Sequence, residues 1–350
     1  MRAPLPDLNR EEAAAAGVAY HPHAIIDDSF RPPRWLCNGH AQSILPSLPW
    51  RRPAVERRVR PMVGASTELL IDCGEGTTLQ AFRSRPSRAA PGAPLTVVLH
   101  GWEGSARSLY VLSLAQALFD EGHEVVRLNL RDHGETHHLN RELFHSCRLP
   151  EVLGALRALQ AGAPGRPLQL VGFSLGGNFM LRAAASAGEA GIAVAQAVAI
   201  SPVLDPKRTL DALEGGARIY SRYFVLKWSR SLARKQAAWP ADYDFAQLLR
   251  QGGLRRMTAE LVDAHTGFPS LDEYLDGYAI TGARLARLEV PSMLIAALDD
   301  PIISPLDLPR VAAPAALRVV LTRHGGHCGF FERLTAPSWA DRRVAALLAA

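Results

Sequence analysis

Leu168-Gln-Leu-Val-Gly-Phe-Ser-Leu-Gly-Gly-Asn178 is the stretch that decides how this chain is read. An apolar, strand-like run from Leu168 to Val171 enters Gly172-Phe-Ser-Leu-Gly176, and a helical pattern follows from Asn178 onward. A turn this sharp needs small residues two before and two after the serine, and both positions are glycine. Ser174 is left projecting from a strained backbone, its hydroxyl exposed at a strand end with a helix N-terminus beneath it. A G-x-S-x-G string alone is common by chance. The strand before it and the helix after it give it meaning.

A serine hydroxyl is a poor nucleophile until a histidine removes its proton, and the histidine needs a carboxylate to hold its tautomer. After an elbow of this kind the acid comes first in the chain and the histidine second. Pro291-Ser-Met-Leu-Ile-Ala-Ala297 reads as a buried strand, with Leu298-Asp-Asp-Pro-Ile-Ile303 at its C-terminal end. Leu317-Arg-Val-Val-Leu321 is another strand, followed by Arg323-His-Gly-Gly-His-Cys-Gly-Phe330. Strand ends are where an open α/β sheet collects its chemistry. Asp300 and His327 are therefore the expected partners of Ser174.

Each has a rival. Asp299 is adjacent to Asp300 and is expected to bond the local turn, while Asp205, after the strand at 195–200, could also supply an acid. His324 competes with His327, but the flanking Gly325, Gly326 and Gly329 suit a loop that brings His327 to the serine. An oxyanion hole can be located as well. The apolar strand Leu95-Thr-Val-Val-Leu99 runs into His100-Gly-Trp-Glu-Gly-Ser105. The backbone N–H groups of Leu175, just after the nucleophile, and of Trp102 in this loop are the expected donors. His100 is assigned to bonding the loop backbone, without a catalytic role.

Taken in order, the chain resembles the YheT-like branch of the α/β-hydrolases, related to eukaryotic abhydrolase-domain esterases and phospholipases. The matching pieces are Asn38-Gly-His-Ala-Gln-Ser43, His100-Gly-Trp-Glu-Gly-Ser105, Gly172-Phe-Ser-Leu-Gly-Gly-Asn178, Asp299-Asp-Pro301 and Gly325-Gly-His-Cys-Gly-Phe330. They span from about Phe30 to the C-terminus. The resemblance implies an α/β-hydrolase fold with a helical cap, a Ser174–Asp300–His327 triad and hydrolysis of carboxylic esters. Asn129-Leu-Arg-Asp-His-Gly134 departs from the branch by carrying Asp-His, and His145-Ser-Cys-Arg-Leu149 lacks its acidic run. Both positions lie near the active-site face in the family, so they bear on substrate range.

Composition agrees. With 350 residues, 48% of them apolar, the chain can bury one large core. The net charge of +5 does not suggest nucleic acid, and no apolar run is long enough to span a bilayer. The start lacks a hydrophobic signal core, which points to the cytoplasm. Cys37, Cys73, Cys147 and Cys328 have no C-x-x-C spacing, so neither disulfides nor zinc are indicated, and no metal or other cofactor is expected. Cys328 is expected to be small packing material.

Residues 1–65 read as a Pro- and Arg-rich arm packed on the core. In it, Arg51-Arg52 and Arg57-Arg-Val-Arg60 are taken as solvated, as are the loop histidines His21, His23, His137 and His138. From Glu68 strands alternate with helices, which predicts a mostly parallel sheet covered on both faces, as residues 66–205 and 289–350. Between them, 206–288 is polar, helical and aromatic-rich, an inserted cap. Phe224, Val225, Trp228 and Leu232 share one helical face, with Lys227, Arg230 and Arg234 toward another. The expected substrate is a small-molecule ester with a short or medium acyl chain. Acyl transfer to an alcohol and a silent binding module are the alternatives, and peripheral contact with a lipid surface is a minor one.

Overall fold

The computed structural model describes residues 21–87, 92–335 and 337–349, so the first twenty residues of the arm lie outside the described part. Nine strands form one sheet: β1 (Ala24–Ile26), β2 (Ser66–Asp72), β3 (Thr78–Ser84), β4 (Leu95–Leu99), β5 (Glu124–Leu128), β6 (Leu168–Phe173), β7 (Val194–Ile200), β8 (Ser292–Ala297) and β9 (Leu317–Thr322). Their order is β1-β9-β8-β7-β6-β4-β5-β3-β2. Among the described residues only the β2–β3 and β3–β5 pairs are antiparallel, and the other strand pairs are parallel. β4, β6 and β8 are buried at every position, which is why they read as continuous apolar runs.

Neighbouring residues of one strand serve opposite faces. Val97 and Leu99 pack with Val152 and Leu156 of the helix Leu149–Ala161 and with Phe179 of the helix Leu175–Ala185. Val98 belongs to the other face, with Val111 and Leu114 of the helix Leu109–Asp120 and Val344 of the helix Trp339–Ala349. This is the mostly parallel sheet covered on both faces that the alternation predicts, and the α/β-hydrolase arrangement that the resemblance implies. The cap is also present: helices Pro206–Gly215, Arg218–Ala238, Ala246–Gln251, Leu254–His265 and Leu271–Tyr278 lie between β7 and β8.

The arm is more ordered than its sequence suggests. Ala24–Ile26 extends the sheet by pairing in parallel with Val319–Leu321 of β9. The basic run is not simply solvated, because it belongs to the helix Arg52–Gly64, which turns Val55, Val59 and Met62 onto the second face of the core. Arg51 itself is buried, donating to the carbonyls of Leu334 (2.5 Å) and Pro46 (2.6 Å) with its guanidinium over the Phe331 ring. Burial pushes its pKa down to about 10. Two histidines taken as solvated are also buried. His21 bonds the Ala312 carbonyl, and His137 bonds the Ser231 hydroxyl of the cap. Among the described residues no cluster of His, Cys, Asp and Glu could hold a metal ion, and no helix is long and apolar enough to cross a membrane.

Candidate active site

Ser174 stands between β6 and its following helix with φ +51° and ψ −118°, a strained conformation for a residue with a Cβ. Steric contact explains the glycines beside it. A Cβ on Gly172 would meet the Gly176 backbone at 2.3 Å, and one on Gly176 would meet the His100 carbonyl oxygen at 2.4 Å. The strain is therefore held in place by the close packing of two turns.

The loops after β8 and β9 bring the two partners to this serine. His327 Nε2 lies 2.9 Å from Ser174 Oγ, and His327 Nδ1 lies 2.9 Å from Asp300 Oδ2. The other Asp300 oxygen accepts from the amides of Ile302 (2.8 Å) and Ile303 (2.9 Å), which fixes the carboxylate. Burial alone disfavours charge on the His327 ring. The nearby Cys328 sulfur and the Asp300 carboxylate outweigh it and hold the pKa well above the ordinary imidazole value.

The rivals are occupied elsewhere. Asp299 accepts from the Gly326 amide at 2.8 Å and faces His324 at 3.6 Å, so it bonds the local turn. Asp205 caps the helix Pro206–Gly215 through the Arg208 amide and pairs with Arg310. Cys328 is half-buried and takes its place through its backbone, whose N–H donates to Ser201 Oγ.

The loop after β4 faces the elbow. A Cβ on Gly101 would come within 3.1 Å of Ser174 Cβ, so the peptide that follows, carrying the Trp102 amide, runs directly beside the serine. The Leu175 amide is the first of its helix and has no intrahelical acceptor. His100 and His133 brace this loop. His100 Nδ1–H donates to the Gly101 carbonyl and its Nε2 accepts from Leu130 N–H. His133 Nδ1–H donates to the Arg131 carbonyl and its Nε2 accepts from Glu103 N–H. Burial holds both rings neutral, with His133 pushed down to about 4. Tyr110 completes the bracing by accepting from the Gly101 amide at 3.0 Å.

Residues with no role assigned from sequence support the histidine loop. Ser43 Oγ accepts from the His327 amide at 2.8 Å and donates to the Gly39 carbonyl at 2.6 Å. Fully buried Gln42 bonds the amide and carbonyl of Phe331 and the carbonyl of Leu36. Gly39 packs so tightly on Asp299 that a Cβ would lie 1.9 Å from its carbonyl oxygen. The signal was the Asn38–Ser43 motif itself, which carried the resemblance but no side-chain logic.

From the cap, the helix Arg218–Ala238 reaches over the Trp102 loop. Phe224 stacks on Trp102 at 5.2 Å, Trp228 meets it edge-on at 5.1 Å, and Lys227 Nζ donates to the Glu103 carbonyl at 3.0 Å. Lys227 thus turns inward, away from the outer face expected for it. Lys235 is completely buried, bonding Asp132 Oδ1 and the carbonyls of Asn140 and Glu142. A small cavity of about 50 Å³ lies beneath this helix, lined among others by Glu103, His133, His145 and Trp228. Asp132 and His133, where the sequence departs from the branch it resembles, both border it, as does His145 at the head of the second departing segment. Burial pushes the Glu103 carboxyl up to about 7.

A hydroxyl bonded to an imidazole whose far nitrogen is held by a carboxylate can attack an acyl carbon. Residues 94–334 match the family described as alpha/beta hydrolase fold, and the chain belongs to that family. Among its relatives is a putative esterase, YheT, of Escherichia coli K12, 29% identical over 90% of this chain and 91% of that protein. A Saccharomyces cerevisiae protein named medium-chain fatty acid ethyl ester synthase/esterase 2 is 25% identical over 72% of this chain and 61% of its own length. Among solved structures, a Pyrococcus furiosus esterase shares the fold at TM-score 0.53, 14% identical, covering 84% of this chain and 92% of that one.

Proposed function

We propose that this chain is a serine hydrolase that cleaves carboxylic esters through an acyl-enzyme on Ser174. The observation that carries the reading is the continuous hydrogen-bonded chain from Ser174 through His327 to Asp300, 2.9 Å at each link. His327 takes the hydroxyl proton as Ser174 attacks the ester carbonyl. The Trp102 and Leu175 amides hold the oxyanion, and the protonated ring then hands its proton to the departing alkoxide. Water repeats the cycle in reverse and frees the acid. Each oxyanion donor contributes roughly 3 kcal/mol at the transition state in sites of this type. The esters proposed carry short or medium acyl chains, a reading supported by the name of the yeast relative.

The same relative favours a second reading, in which an alcohol replaces water in deacylation and the product is a new ester. The proposed division of the chain is an arm to 65, a core of 66–205 and 289–350, and a cap of 206–288. The proposed compartment is the cytoplasm, with which four free cysteines agree. Fluorophosphonate labelling and turnover of p-nitrophenyl esters test the reading. Wild-type protein should label and turn over, and Ser174→Ala should do neither. Labelling of Ser174→Ala at the wild-type rate overturns the assignment, and a wild-type protein that neither labels nor turns over is a silent module. Added ethanol that diverts product into ethyl ester identifies transfer.

A further inference from the structure

The helix Arg218–Ala238 has two faces with different duties. Its inner face is spent on the protein: Tyr220 bonds His40 at 2.9 Å, Phe224 and Trp228 cover Trp102, and Lys235 is sunk into the loop after β5. Among the described residues its outer face is largely open, with the Tyr223 ring touching only its own helix, at the Phe224 ring (5.4 Å) and under Lys227 Nζ (5.2 Å). Ile219 is 52% exposed, Tyr223 45% and Leu226 52%. At 100° per residue these three fall within one narrow stripe, a spacing of four and then three. An isolated exposed apolar side chain is ordinary, whereas three in register on one helix are not.

Charge identifies what this stripe fits. Arg218, Arg222, Arg230 and Arg234 are exposed on the same side of the helix, interleaved with the apolar residues. None of its 21 residues is acidic. Among the described residues Arg218, Arg222 and Arg230 pair with no carboxylate, whereas Arg234 acts on the buried Glu103 carboxyl and Lys227 and Lys235 are both used inside. An apolar stripe flanked by unpaired cations, on a helix that lies flat on the domain, matches a bilayer interface with anionic head groups.

We propose that the outer face of this helix docks the protein on an anionic lipid surface, so that its esters are taken from that surface. Because the inner face of the same helix covers Trp102, docking sets the candidate site directly behind the interface. The delivery of substrate rests on the hydrolytic reading above; the docking itself does not.

The test uses the full chain carrying Ser174→Ala, so that binding is measured without turnover. Co-sedimentation with phosphatidylcholine vesicles, with and without phosphatidylserine, should show binding that needs phosphatidylserine and weakens with salt. Arg222→Gln with Arg230→Gln should lower partitioning about thirtyfold, roughly fivefold for each cation removed near the surface. Ile219→Ser with Leu226→Ser should lower it about tenfold or more. In the Ser174 protein the same pairs should leave turnover of a soluble p-nitrophenyl ester unchanged while slowing turnover of a vesicle-borne ester. Absence of binding to phosphatidylserine vesicles, or binding by both variants at the wild-type level, overturns the docking. A dimer that these substitutions dissolve while vesicles stay unbound overturns it too, by making the face a contact between copies. Docking without turnover of any ester would instead retire the hydrolytic reading and leave the lipid surface standing.

Discussion

Asp300→Asn separates the geometry of the candidate acid from its chemistry. The substitution keeps the shape of the side chain, and the new carboxamide oxygen can still accept from the Ile302 and Ile303 amides. The acid loop should therefore hold, with a melting temperature within a few degrees of wild type. What changes is the second position, where an NH₂ group now faces His327 Nδ1 at the former 2.9 Å contact. An NH₂ can only donate, so Nδ1 must accept, and the proton moves to Nε2, the nitrogen that faces Ser174 Oγ. A ring protonated there cannot take the hydroxyl proton. The analogous change in a serine protease lowers kcat by about 10⁴, close to 5.5 kcal/mol at the transition state, and a loss of that order is expected here. Asp299→Asn leaves an oxygen for the Gly326 amide and should cost less than about tenfold, a bound that corresponds to 1.4 kcal/mol. Asp205→Asn breaks an ion pair whose Arg310 partner is about half exposed and should leave kcat unchanged. Steady-state kinetics on a soluble ester, beside thermal melts of the three proteins, make the comparison. An Asp300→Asn protein with more than a tenth of wild-type kcat, or an Asp299→Asn protein as damaged as it, would refute the assignment.

His327→Ala should abolish ester turnover whereas His324→Ala, which removes only a 3.6 Å contact with Asp299, should keep most of it in the same assay. Since His327 must be neutral to accept a proton and its pKa is raised, kcat/KM should fall tenfold per unit on an acid limb lying above 6.5. In whatever activity Asp300→Asn retains, that limb should move to lower pH, because a negative charge that favoured the protonated ring is gone; an unmoved limb would assign it to another group. Ser43→Ala leaves the His327 amide without its acceptor and should lower kcat about tenfold or more with KM nearly unchanged, whereas a merely structural loss would appear in the melt instead. Trp228→Ala opens the wall of the cavity beside Glu103 and should reorder esters by acyl length, by no more than about 1–3 kcal/mol per methylene. A uniform slowing of every ester with a lower melting temperature would make Trp228 packing alone.

The parts of this molecule that could be read from sequence are those where one interaction dominates. β4, β6 and β8 are buried on both faces, so their apolar runs name them directly, and the elbow glycines are dictated by contacts under 3 Å. Loop glycines and chain order point to His327, the histidine whose ring lies beside Ser174, rather than to His324. Where several weak terms compete, the pattern was silent. Ala24–Ile26 is three residues long with Ile25 exposed, so it carries no period, and its place in the sheet comes from β9. In the helix Arg52–Gly64 the spacing of Val55, Val59 and Met62 was masked by four arginines and by Pro53 and Pro61. Arg51 and Lys235 are buried because carbonyls from distant segments converge on them, a tertiary fact that no local pattern encodes.

The same contrast explains why the two halves of the candidate site differ in legibility. Ser174, Asp300 and the His327 loop sit at ends of strands whose register is fixed by the sheet, so position in the fold and position in the chain agree. The supports of those residues come from outside the sheet. The arm holds the His327 loop through Ser43 and Gln42, the cap covers the Trp102 loop through Phe224, Lys227 and Trp228, and the Tyr220–His40 hydrogen bond joins arm to cap. The candidate chemistry thus rests on contacts supplied from outside the sheet. Asp132 and His133, where the chain departs from the pattern of the branch it resembles, lie there too and line the cavity beside Glu103. Differences in substrate among relatives should accordingly track the cap and its partner loop, while the three strand-end residues stay the same.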